Sequence, residues 1–108
     1  MNRTAAERLE KAADILETEG WCRGQFEDKN GHHCAQDALQ AAGSEFAALN
    51  EQWSSATVYG AVDAQLRAEG WDTGIINYND EQRDKRKVIR LLRRTARNLR
   101  TGRLTCAV

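Results

Sequence analysis

Apolar positions recur at three- and four-residue spacing along most of the chain, the period of helices that bury one face. Leu9, Ala12, Ala13 and Leu16 share one side of a first helix expected over residues 5–18, with Glu10, Lys11, Asp14 and Glu17 opposite. Thr4 and Glu7 stand three apart before it as a capping box, in which each side chain satisfies a free backbone donor. A second helix is expected over 33–42, with Ala35, Ala38, Leu39 and Ala42 as its buried stripe and Gly43 as its stop. Ser44 can cap a short third helix carrying Phe46, Leu49 and Trp53. Ser54 or Ser55 can cap the next, which runs through Val58, Ala61, Val62 and Leu66 to Glu69. The stretch 73–80, with Ile75, Ile76 and Tyr78, is read as a helical turn, because no second strand candidate exists to pair with it. The last helix opens at Asp84 and ends near Arg100. Its buried face is Val88, Leu91, Leu92, Thr95, Ala96 and Leu99, with Ile89 at the edge and a short tail over 104–108.

The hexapeptide Glu-Gly-Trp-x-x-Gly closes two of these helices, at 19–24 and again at 69–74. A glycine just past a helix supplies the left-handed residue that ends it, and the apolar residue that follows folds back on the last turn. Trp21 and Trp71 are expected in that role. The pattern predicts an all-α, single-domain bundle of four to five helices spanning residues 1–108.

Composition agrees: there is no proline, and 30% of the 108 residues are charged. The N-terminus lacks the apolar centre of a signal peptide and no apolar run approaches the length of a membrane span, so a cytoplasmic protein without membrane contact is expected. Three cysteines, an odd number, suit free thiols better than a disulfide framework.

Net charge is zero but unevenly placed. Residues 1–82 hold 6 Lys+Arg against 15 Asp+Glu, while 83–108 hold 10 Lys+Arg and only Asp84. On the last helix Arg86, Arg90, Arg93, Arg94, Arg97 and Arg100 project opposite the apolar stripe. A guanidinium donates two parallel hydrogen bonds to an oxyanion, so such a ridge fits an acidic protein, a second copy of the chain, or a nucleic-acid backbone. It equally fits a solvated face that pairs with the acidic remainder of the chain.

Cys22, His32, His33, Cys34 and Cys106 are the soft metal ligands, but no Cys-x-x-Cys or His-x-x-x-His spacing accompanies them. A thiol nucleophile at Cys34 can be drawn, with its pKa lowered by a helix N-terminus, His32 as base and Asp80 as orienting group. A zinc site from Cys22, His32 and Cys34 can be drawn as well. The alternative is packed thiols beside a loop histidine pair, and no cofactor is called for. Asn77, Asn79 and Asp80 are expected to cap turns, with a polar site shared with Tyr59 or Tyr78 as the other option. Trp53 and Tyr59 are expected in the core.

Gly20-Trp21, Cys34-Ala35-Gln36-Asp37-Ala38-Leu39, Tyr78-Asn79-Asp80 and Val88-Ile89-Arg90-Leu91-Leu92-Arg93-Arg94 together carry a resemblance. The chain resembles a family of small, uncharacterised helical proteins from actinobacteria and their phages, patterned as Gly-Trp, Cys-x-x-Gly-Ala-Leu and Trp-Asn-Asp before a closing helix of leucine and arginine. Asp37 stands where that pattern has glycine, and Tyr78 where it has tryptophan. The resemblance implies a bacterial cytosol and carries no catalytic residues. The expectation that follows is a small non-catalytic interaction protein, in the form of a phage-encoded modulator that binds a host protein through the arginines of its last helix. Nucleic-acid binding through the same face is the alternative, and a thiol or zinc site around Cys34 the second.

Overall fold

A computed structural model describes residues 3–24, 28–43 and 55–104. Five helices run in the order α1 (Arg3–Glu19), α2 (Ala35–Gly43), α3 (Ser55–Ala68), α4 (Ile75–Glu81) and α5 (Lys85–Arg100). Among the described residues the only extended pairing is a single parallel bridge between Trp21 and His33, so the all-α expectation holds. None of these helices is long and apolar enough to cross a membrane. The expected helix over Phe46, Leu49 and Trp53, its Ser44 cap, the Ser54 cap and the tail with Cys106 lie outside the described residues.

The core is what the helical period dictates. Leu9, Leu16, Leu39, Leu66, Leu91, Leu92 and Leu99 are fully buried, with Val58, Val62 and Val88 among them. Alanines at positions 5, 6, 12 and 13 of α1 and 35, 38 and 42 of α2 have no exposed surface, and α1 packs closely on both α2 and α5. Truncating one of these leucines to alanine costs about 2–5 kcal/mol, because the lost transfer energy is compounded by an unfilled cavity.

Helix boundaries depart from the periodic pattern where backbone groups find other partners. The second helix starts at Ala35 rather than His33. His33 donates its amide to Gly20 O and accepts from the Cys22 amide, so its backbone is held extended. The first helix begins at Arg3, which puts Thr4 inside its first turn, and the Thr4 side chain is outside the described set. At α5 the expected cap is present: Asp84 is extended (φ −138°, ψ 120°) and its carboxylate accepts the Arg86 amide.

The two Glu-Gly-Trp repeats are not equivalent. After α3, Gly70 (φ +92°) lets Trp71 donate its amide to Leu66 O at 2.9 Å while Gly70 donates to Arg67 O, the paired bonds of a Schellman ending. The Trp71 ring is 39% exposed and stands edge-on to Tyr78, with centroids 4.9 Å apart. After α1, Gly20 (φ +105°) turns the chain into the bridge with His33, and Trp21 is half-buried against the core.

Candidate functional site

Helix α5 lays its leucines against α1 and α3 and holds its arginines outward, and the neighbouring helices decide how free each one is. Arg93 reaches Asp14 at 3.1 Å and Glu17 at 3.2 Å, both on α1. Arg100 pairs through two nitrogens with Glu10, at 2.7 and 3.0 Å. On the other flank Arg94 makes a two-pronged contact with Glu69 at the end of α3, at 2.8 and 2.9 Å. Hydrogen bonds from Arg94 hold the Glu69 carboxyl below the usual carboxylate range. Arg86 closes on Asp84 of its own N-terminus. Arg90 and Arg97 are exposed and enter no ion pair among the described residues. A surface depression of about 330 Å³ is lined by Arg90, Arg93, Arg94 and Arg97. Among the described residues the six arginines therefore divide into four held in ion pairs and two, Arg90 and Arg97, outside any, with Asp84 acting on Arg90 through charge at longer range.

A second cluster forms where the end of α1, the loop after it, the start of α2 and α4 converge. Its centre is Asn79, 1% exposed. Its carbonyl oxygen accepts the Trp21 indole N–H at 2.7 Å and the Ala35 amide at 3.0 Å. Its amide nitrogen donates to Cys22 O and to the Asp80 carboxylate, both at 3.2 Å. Asp80 in turn accepts the Gly24 amide at 2.8 Å. Asn79 was expected to cap a turn through side-chain bonds to the backbone; it does so across the molecule, for α2, by taking the free amide of that helix's first residue. A similar substitution serves α4, whose N-terminal Gly74 has no side chain to offer: Asp63 of α3 accepts the Ile75 amide at 3.1 Å.

His33 lies in the same corner, 7% exposed, with Nε2 at 2.9 Å from Glu19 and Nδ1 hydrogen-bonded to Asp37. Burial opposes its charge, but hydrogen bonds and charge from Asp37 and Glu19 outweigh that and raise its pKa above the ordinary imidazole value. Asp37 thus has a definite partner. His32 packs over Gly20 and pairs with Asp28 at 3.0 Å, and Asp28 also accepts the amides of Asn30 and His32.

The thiol expectations change here. Cys22 and Cys34 are buried thiols outside any disulfide, and Cys22 hydrogen-bonds to His32 O at 3.4 Å. Cys34 Sγ accepts the Asp37 amide at 3.4 Å, so it does cap α2, yet burial pushes its pKa up rather than down. The helix terminus was expected to lower it; desolvation of a thiolate is the larger effect. His32 is turned to Asp28, and both ring nitrogens of His33 are occupied by carboxylates. Among the described residues no group of three or more His, Cys, Asp or Glu side chains is arranged to hold a metal ion.

The short motifs that carry the resemblance, Gly20-Trp21, Cys34 and Asn79-Asp80, all meet in this corner. A family model described as a family of unknown function (DUF6197) matches residues 1–98. The chain belongs to that family. No curated protein and no solved structure matches it. The match to DUF6197 covers α1 to nearly the end of α5, and so includes both the Asn79 corner and five of the six arginines.

Three residues carry a signal legible in the sequence: His33, Asp37 and Arg8. His33 and Asp37 stand four apart, the spacing of an ion pair on one helical face. Arg8 sits inside the buried face of α1, where it donates to Leu39 O at 2.9 Å and is 5% exposed. A polar residue on an apolar stripe is a sign of such a bond.

Proposed function

We propose that this member of DUF6197 is a small non-catalytic interaction protein that docks an acidic protein through the arginine face of α5. The observation that carries the reading is the pair Arg90 and Arg97, exposed and without ion-pair partners among the described residues, on a face whose other arginines are held by carboxylates. Unpaired guanidiniums keep their donors for an incoming oxyanion. The same face is fenced by Glu10, Asp14 and Glu17 on one side and Glu69 on the other. That fence supports a narrow acidic partner over a nucleic-acid backbone, which would bring phosphates against these carboxylates. The corner around Asn79 supports a structural role for the Gly-Trp, Cys and Asn-Asp motifs. A phage-encoded modulator of a host protein, acting in a bacterial cytoplasm, is the form of binding included in this proposal.

The test is capture of partners from bacterial lysate on wild-type protein and on the double variant Arg90→Gln/Arg97→Gln, each with and without nuclease. A protein retained after nuclease treatment by the wild type and lost by the variant supports docking. Retention of the same protein by the variant overturns it, as does recovery of nucleic acid and its binders only when nuclease is omitted.

A further inference from the structure

Resting on that docking reading, we infer that the partner segment is an α-helix presenting two carboxylates seven residues apart, one to Arg90 and one to Arg97. The two guanidiniums that enter no ion pair among the described residues lie two turns apart on α5, roughly 10 Å along its axis at 1.5 Å per residue. Between them stand Arg93 and Arg94, drawn sideways in opposite directions to Asp14 and Glu17 on one flank and to Glu69 on the other. Among the described residues, the depression of about 330 Å³ that these four arginines line therefore has guanidiniums outside any ion pair at its ends and ion-paired ones at its middle. Its complement is a ligand with an anion at each end and none between.

Secondary structures differ in whether they can supply that spacing. A helix lying alongside α5 places residues i and i+7 on one face at the same separation, with i+3 and i+4 between them. Neutral residues at those middle positions rest on the aliphatic stems of Arg93 and Arg94. An extended segment shows one face at multiples of about 6.8 Å, which reaches one arginine and misses the other. A nucleic-acid strand carries a charge about every 3.4 Å of helix axis and would set phosphates over the compensated middle. The partner surface is thus a Glu-x-x-neutral-neutral-x-x-Glu face on a helix.

Fluorescein-labelled, alanine-rich helical peptides of about 20 residues, long enough to hold a helix in water, would be titrated with the full chain at low salt. One carries its two glutamates at i and i+7, one at i and i+5, and one has glutamine at both. The i,i+7 peptide is expected to bind about three- to fivefold more tightly than the i,i+5 peptide, the order expected for one further exposed ion pair with favourable geometry. Arg90→Gln/Arg97→Gln should remove the difference while leaving the helical circular dichroism unchanged. Equal affinity for the two glutamate peptides overturns the inference, as does displacement of the i,i+7 peptide by an equimolar single-stranded oligonucleotide. If the spacing fails while lysate capture still depends on Arg90 and Arg97, docking stands and only the helical partner is lost. If lysate capture does not depend on them either, both fall.

Discussion

Asn79 accepts the indole N–H of Trp21 at 2.7 Å across 58 residues of sequence, and so ties α4 to the turn that ends α1. Asn79 has no water to fall back on, because it is 1% exposed. Replacing Asn79 by alanine leaves the Trp21 indole, the Ala35 amide and Cys22 O without this partner. The expected loss in urea unfolding is about 3–5 kcal/mol, several unsatisfied groups together. Trp21→Phe removes one of these bonds, and about 1–2 kcal/mol is expected. A loss below about 1 kcal/mol for Asn79→Ala would count against the hub.

Gly20 and Gly70 make a paired test of backbone strain against crowding. Both have positive φ, but a Cβ on Gly20 would meet the His32 ring at 2.3 Å, whereas nothing lies near Gly70. Gly70→Ala is expected to cost about 1–2 kcal/mol, the penalty for a left-handed alanine. Gly20→Ala should cost more, and His32→Ala should recover the excess when the two are combined. If both glycine variants lose the same stability and His32→Ala recovers nothing, the contact with His32 has no energetic weight.

The faces that form the core were visible because burial follows the helical period: each residue placed on the apolar stripes of α1, α2, α3 and α5 is buried. Asp84 was visible as a cap because capping chemistry is local. The role of Asn79 was not, since its partners Trp21, Cys22 and Ala35 lie 44 to 58 residues away and no local spacing encodes them. The arginine ridge was legible as a face, but its division was not. Which guanidiniums are occupied depends on where α1 and the end of α3 set their carboxylates.

Charge on His33 gives stability a pH dependence of known sign. Its folded pKa lies above the unfolded value of about 6.5. The stabilisation is therefore complete below about pH 6.5 and fades as pH rises through the higher folded value. His33→Gln should flatten the stability profile in that range, as followed by thermal unfolding at a series of pH values. A wild-type profile that rises with pH there, and rises less in the variant, would reverse the assignment.

The arginines of α5 should separate stability from binding. Arg94→Gln breaks a two-pronged contact with a partly buried Glu69 and is expected to cost about 1 kcal/mol. Arg90→Gln and Arg97→Gln should each stay within about 0.5 kcal/mol of wild type, since no ion pair is lost. A large loss from either in chemical denaturation would show that it has a structural partner.

Cys22 and Cys34 should be slow to alkylate in the folded protein, because burial both shields them and pushes their pKa values up. Mass spectrometry after brief iodoacetamide treatment should find both unmodified in buffer and both modified in denaturant. Fast labelling of Cys34 in buffer at neutral pH would restore the thiol site.

Helices α2 and α4 have nine and seven residues, too few to persist alone in water. Each is begun by a side chain borrowed from elsewhere, Asn79 for α2 and Asp63 for α4. Neither can be complete until the residue that accepts its first amide has docked, and the acceptor for α2 is itself carried on α4. The amide of Ala35 should therefore exchange with solvent only when the α2–α4 junction comes apart, and that of Ile75 only when the α3–α4 contact does, and cutting the chain between α3 and α4 should leave two fragments that regain structure only when mixed.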